Sequence, residues 1–186
     1  SRHLGLTLTA RNNGGAAEVP LAGVPVKAVG EYLRRLVQQG FRVAICEQVE
    51  DPKVAKGIVR REVVETVTPG AAFSDDLLDG ARNNFLCAVH AAGDAVGIAA
   101  ADVSTGEFRL TLVRSGDALA MLARFSPREI LLPRGEPDRS LSTSQRAEGA
   151  LITERDAWEF DPSLAADELE RHFGVLSLAG LGIGED

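Results

Sequence analysis

Long hydrophobic runs are missing from this 186-residue chain. No apolar stretch approaches the roughly 18 residues that a membrane-crossing helix needs, and no basic-then-apolar start reads as a secretory leader. The first absence argues against a membrane-spanning segment in this stretch. Cysteine is scarce: the chain holds only Cys46 and Cys87. That excludes a disulfide-built scaffold and predicts buried free thiols in a reducing, cytoplasmic setting. An initiating Met is absent at Ser1, which predicts a processed product or an excised internal piece. What is present is ordinary: 45% hydrophobic and 25% charged residues. This balance excludes a disordered tail or a collagen-like fibre, and the length suits one or two domains.

The net charge of −7 argues against nucleic acid until it is divided along the chain. Residues 1–70 carry 10 Lys and Arg against 7 Asp and Glu, and residues 71–186 carry the other 10 against 20. The first part can therefore face an anion, and the second would avoid one. Two domains with differently solvated faces would give the same asymmetry.

Periodicity predicts a helix over 27–39, because Val29, Tyr32, Leu33, Leu36 and Val37 form one apolar stripe. Gly40 is placed as its left-handed stop. Strands are predicted over 4–9 and 19–24, joined by the turn-rich Asn12-Asn13-Gly14-Gly15. A buried strand follows at 41–48 and another strand at 58–67, with Asp51-Pro52 breaking the chain between them. Thr68-Pro69-Gly70 is the best domain boundary. Beyond it, strands are expected over 85–90, 95–103 and 107–113, with Phe108, Leu110 and Leu112 on one face. Ser115 is expected to cap a helix reaching Phe125 that turns Ala118, Met121, Leu122 and Phe125 inward. Residues 130–132 read as a short buried strand. Asp161-Pro162 opens a last helix expected to bury Ala165, Leu169, His172 and Phe173 and to stop at Gly174. The result is an α/β architecture, helices packed on a mixed sheet.

An ordered string of residues then carries a resemblance. It runs Pro20-Leu21-Ala22-Gly23-Val24-Pro25, Tyr32-Leu33, Leu36-Val37, Val43-Ala44-Ile45-Cys46-Glu47-Gln48, Asp51-Pro52, Lys56-Gly57, Val63-Val64 and Val67-Thr68-Pro69-Gly70. It continues through Asp75, Leu77-Leu78, Asn83-Asn84-Phe85-Leu86 and Asp102-Val103-Ser104-Thr105-Gly106-Glu107-Phe108. The string resembles the MutS family of DNA mismatch-repair proteins, strongly to about residue 110 and more loosely after it. The resemblance implies that 1–70 are the later part of a mixed α/β mismatch-recognition domain. Residues 71–186 would be a connector domain with a ribonuclease-H-like fold and no nuclease activity. It also implies a larger parent protein. The family's Phe-x-Glu wedge and the Gly-x-x-x-x-Gly-Lys-Ser/Thr phosphate loop both fail to occur in this chain. ATP and magnesium would then belong to an ATPase module of the parent, with no cofactor and no enzymatic activity here. Duplex DNA, a MutL-type repair protein reached through the connector, the other MutS domains and a second MutS subunit are the implied partners.

Within that frame, Arg11, Asn12 and Asn13 follow Thr9 at a strand end entering a glycine-rich loop, where backbone N–H groups and an Arg can approach phosphates. Leu21, by resemblance, faces the minor groove beside the mismatch. Lys27 starts a helix, where its charge opposes the dipole and suits an anionic partner. Lys53, Lys56, Arg60 and Arg61 form a second basic cluster. Glu65 stands where some relatives carry a basic residue, which argues against a backbone contact there. These residues would grip bent duplex DNA through phosphates and deformability, without reading sequence. Binding by this chain would be weak and salt-sensitive, with little preference for a mismatch, because the wedge is elsewhere.

Two other classes compete. A ribonuclease-H-like metal nuclease would use Asp102 with Glu129 or Asp156; the plainer role for Asp102 is to accept hydrogen bonds from the Ser-Thr-Gly turn that follows it. A module that only binds proteins would need no basic face at all. Gly180-Leu181-Gly182-Ile183-Gly184 has no strand–helix context for a nucleotide loop. His3, His90 and His172 lack metal-ligand spacing, and Trp158 with Phe160 reads as an anchor on the second domain or for a neighbour.

Overall fold

The first predicted strand is cut short by a glycine. Residues 2–5 form a turn in which Gly5 takes φ +64°, a left-handed conformation that ends extended structure. The strand β1 (Thr9–Arg11) therefore begins where 4–9 was expected to finish. Its partner β2 (Val19–Leu21) is also shorter than predicted, pairing antiparallel with Thr9 opposite Leu21 and Arg11 opposite Val19. The computed structural model describes residues 2–11, 19–55, 57–72, 83–135 and 149–183.

Pro25 starts a single 3-10 turn (Val26–Ala28), closed by the Ala28 N–H donating to the Pro25 carbonyl at 2.8 Å. The helix α1 (Val29–Gln38) follows. Its end shows why Gly40 is there. The Phe41 N–H donates to Leu36 O at 3.1 Å and the Gly40 N–H to Val37 O at 2.9 Å, with Gly40 at φ +82°. This is the paired closure that needs a left-handed residue. The strands β3 (Val43–Gln48) and β4 (Arg61–Val67) pair antiparallel, with an irregularity between Ile45 and Cys46. β3 is not the buried strand its composition predicts. Val43 and Ile45, with Leu33 of α1, pack against Val37, Val67 and Ala72, while the alternate residues Ala44 and Cys46 face solvent. A two-stranded sheet covered on one side by one short helix buries little, and Val63 and Val64 stay more than half exposed.

The larger unit follows the expected strand order closely. The strands β5 (Phe85–Ala92), β6 (Ala95–Asp102) and β7 (Glu107–Arg114) form an antiparallel meander. β8 (Glu129–Pro133) adds parallel to β5, and β9 (Leu151–Arg155) parallel to β8, giving the order β7-β6-β5-β8-β9. β9 was not predicted, because its Leu151-Ile152-Thr153 core is only three residues long and follows a polar stretch. The helix α2 (Ala118–Phe125) crosses between β7 and β8. It covers one sheet face, packing Ala118 and Leu122 onto Phe85, Cys87, Val89, Val96, Ile98, Ala100 and Ile130, with Met121 and Phe125 beside them. Ser115 does not cap this helix through its side chain. It opens a 3-10 turn (Ser115–Asp117), and its N–H donates to Asp94 O at 2.9 Å.

The other face is thinly covered. The helix α3 (Pro162–Phe173) starts as expected, with Asp161 Oδ1 accepting from the Ser163 and Leu164 N–H groups, and stops at left-handed Gly174. It buries no residue, however, so the predicted inward set Ala165, Leu169, His172 and Phe173 is corrected. The helix only brushes the sheet: Phe173 is 45% exposed and 6.5 Å from Phe108. Phe160 stacks on His90 at 6.0 Å, while Trp158 points outward. No helix among the described residues is long and apolar enough to cross a membrane.

The two cysteines are both free but sit in opposite environments. Cys87 is wholly buried, and burial pushes its thiol up to about 12. Cys46 is exposed, against the expectation that both were packed. In native buffer a maleimide should modify Cys46 promptly and Cys87 only at the rate of unfolding, read by mass spectrometry. Two fast thiols would contradict the packing of β5 under α2.

Candidate nucleic-acid interface

The basic candidates fall on the smaller, sparsely buried unit. Arg11 ends β1, opposite Val19 of β2; Asn12, Asn13 and Lys56 lie outside the described residues. Leu21 is 49% exposed at the end of β2, where its carbonyl accepts the Thr9 hydroxyl at 3.0 Å. It is thus an apolar side chain held outward by a fixed backbone. Lys27 lies in the 3-10 turn ahead of α1, not in the helix itself, beside the 89% exposed Val26. Arg61 opens β4 opposite Gln48. Among the described residues, neither Lys27 nor Arg61 has an ion-pair partner.

The structure separates Arg60 from this set. Its guanidinium pairs with Glu62 at 2.6 Å, and its backbone N–H donates to Glu50 Oε1 at 2.6 Å. Two local carboxylates therefore offset the field that a phosphate would meet there. Lys53 is held by its backbone, whose N–H donates to Asp51 Oδ1 at 2.9 Å in an Asx turn. Arg11 and Arg61 sit in two separate two-stranded sheets.

Asp102 takes the plainer of its two roles. It is 1% exposed, and its Oδ1 accepts the Ser104 N–H at 3.0 Å and the Ser104 hydroxyl at 2.6 Å, while Oδ2 accepts the Asn84 N–H at 3.0 Å. Burial raises its pKa, but the Ser104 hydroxyl and the backbone N–H groups of Asn84, Ser104 and Thr105 outweigh it and hold the carboxyl below its usual value. The metal-nuclease alternative is unsupported. Asp102 pairs with Phe85 and Glu129 with Leu86 in the ladders, so alternation puts the two carboxylates on opposite sheet faces. Asp156 is paired with Arg134 at 2.7 Å. Among the described residues no three His, Cys, Asp or Glu side chains gather as a metal site. Residues 178–181 form a 3-10 turn rather than the strand-to-helix junction a nucleotide loop requires.

Sequence reasoning missed a polar joint between the two units. Asn84, Asp102, Glu129 and Thr153 are the buried polar residues of the described chain, and they cluster where the linker meets the sheet. Asn84 Nδ2 donates to Pro69 O at 2.9 Å and Ala72 O at 3.2 Å. Glu129 accepts the Gly70 N–H at 3.2 Å and the Thr153 hydroxyl at 2.6 Å. From the smaller unit, Arg42 donates to Thr153 Oγ1 at 2.9 Å. A charged residue inside the otherwise apolar string 129–133 was the available signal.

Comparison with known proteins covers both units. The family model described as MutS domain I matches residues 1–76, and MutS domain II matches residues 84–186. Relatives named DNA mismatch repair protein MutS are 45% identical in Chlorobaculum tepidum and 43% in Solibacter usitatus, each over 98% of this chain. A third, from Cytophaga hutchinsonii, is 44% identical over 100% of it. The chain spans about a fifth of the length of these relatives, 21% in each case.

Proposed function

Because the chain belongs to the MutS family, we propose that it supplies the later part of a mismatch-recognition domain (residues 1–70) and the connector (71–186) of a cytoplasmic mismatch-repair protein. The smaller unit grips duplex DNA, and the connector relays that engagement. In this reading the ATPase with its ATP and magnesium, the second subunit and the MutL-type partner act through the whole protein. The chain itself performs no chemistry.

One observation carries the DNA assignment. Lys27 and Arg61 are exposed and lack acid partners among the described residues, on the unit that also presents Leu21 outward. Unpaired cations release condensed counterions when they meet phosphates, and this release dominates binding that ignores sequence. An outward leucine suits a widened minor groove, where apolar contact replaces base readout. The acidic connector avoids the same polyanion.

Side-chain removal separates the cations. Lys27→Ala or Arg61→Ala should lower the slope of log affinity against log salt by about one, weakening paired and mispaired duplexes alike. Arg60→Ala, already paired with Glu62, should change the slope far less. Equal slopes for all three variants and the parent chain would remove these residues from the interface.

A further inference from the structure

The polar joint has a direction. Arg42 follows the closure of α1 and precedes β3, so it belongs to the DNA-facing unit. Its Nη2 donates to Thr153 Oγ1 at 2.9 Å, and that hydroxyl donates onward to Glu129 Oε1 at 2.6 Å. The other oxygen of Glu129 accepts the Gly70 N–H at 3.2 Å. Arg42, Thr153, Glu129 and Gly70 thus form one continuous chain that begins and ends on the smaller unit and passes through the sheet. Glu129 is only 2% exposed. A carboxylate taken so far out of water requires donors in fixed places. The hydroxyl between it and the guanidinium has one proton, and its use toward Glu129 leaves a lone pair for Arg42. Each bond therefore sets the direction of the next.

The surroundings give this chain leverage. Val37 and Val67, with Leu33, Val43 and Ile45, form the smaller unit's own apolar cluster, to which Ala72 adds from beyond residue 70. Beside it lies a cavity of about 240 Å³ lined by Val37, Gly40, Pro69, Asn84 and Arg128, among others. A single small apolar side chain beside a void does not define an orientation, because it has no directional contact. Directional hydrogen bonds to the buried Glu129 side chain do.

We infer that Arg42, acting through Thr153 and Glu129, is a positioning residue that fixes the orientation of the DNA-facing unit on the connector sheet. Bending of DNA is thereby passed on as a rigid-body displacement rather than lost at the linker. The inference rests on the proposed function for its purpose, but not for its geometry.

The test uses the whole chain with two spin labels, one on exposed Cys46 and one on Ala123→Cys in α2; buried Cys87 stays unlabelled. The unaltered joint should give a single narrow distance. Arg42→Ala and Thr153→Val should each lose it in favour of a broad distribution, and Arg42→Lys should restore a narrow one. Arg42 is exposed, so its variants keep the sheet intact, which the slow exchange of the Cys87 and Ile98 amides verifies. A narrow, unshifted distance in Arg42→Ala would overturn the inference. Duplex binding measured on the same samples keeps the two claims apart. Absent DNA binding with a broadened distance defeats the function and leaves the joint standing.

Discussion

Asp102→Ala should lower the stability of the chain by about 3 kcal/mol, the largest loss expected from any single polar substitution here. The carboxylate accepts from the Asn84 and Ser104 N–H groups and from the Ser104 hydroxyl. Ser104 is exposed, and its donors can return to water. Asn84 is buried, and its N–H cannot. The cost is mainly that one stranded donor, together with the released end of β6. In a chain of this size the melting temperature should fall by roughly 6 to 12 °C.

The pH dependence of that loss identifies its cause. The folded carboxyl titrates below its unfolded value. The unfolded state therefore binds the proton first as pH falls, and the contribution of Asp102 is fully present above about pH 4. It disappears as pH drops through the lowered folded value. The stability difference between the parent chain and Asp102→Ala, from urea melts, should be constant near neutrality and shrink in that acid window. A difference unchanged down to full protonation would mean that packing, not the ionised hydrogen bonds, holds the turn.

Gly70→Ala comes second. A Cβ there would stand 2.7 Å from the Glu129 Cβ and 3.0 Å from Leu86 Cδ1. The Leu86 methyl can swing aside, but the Glu129 Cβ is fixed to its backbone, so the linker must lift from the sheet. Overpacking of this kind costs about 2 kcal/mol. The strain falls on the joint, so the loss should be uneven. Amides of β3 and β4 should exchange ten- to a hundredfold faster, the equivalent of roughly that free energy, while those of Cys87 and Ile98 keep their protection. Uniform acceleration would show that the two units unfold as one.

Local rules were legible where a single element supplied all the information. β5 and β6 follow from short apolar runs set off by turn residues, and α1 with its stop follows from a helical stripe ending at Gly40. Length was not legible where a backbone conformation intervened, as Gly5 did before β1. Burial was least legible. The apolar spacing in α3 is genuine, yet the helix only touches the sheet near Phe108, and β3 is half exposed because nothing described covers its second side. At the candidate interface, sequence could nominate Leu21, Lys27 and Arg61, but not the Arg60–Glu62 pair that sets Arg60 apart. The joint was out of reach for a plain reason: Arg42 and Thr153 are 111 residues apart, and no local pattern links them.

The central claim is that this chain holds DNA by phosphate contact and leaves mismatch discrimination to other parts of the protein. Fluorescence anisotropy with one labelled duplex, fully paired or carrying a single mismatch, titrated across a salt series, tests it most directly. The account predicts near-equal affinities for the two duplexes, both falling linearly on a log–log plot against salt. A mismatch preference of roughly tenfold, about 1.4 kcal/mol, would contradict it, as would affinity that does not respond to salt.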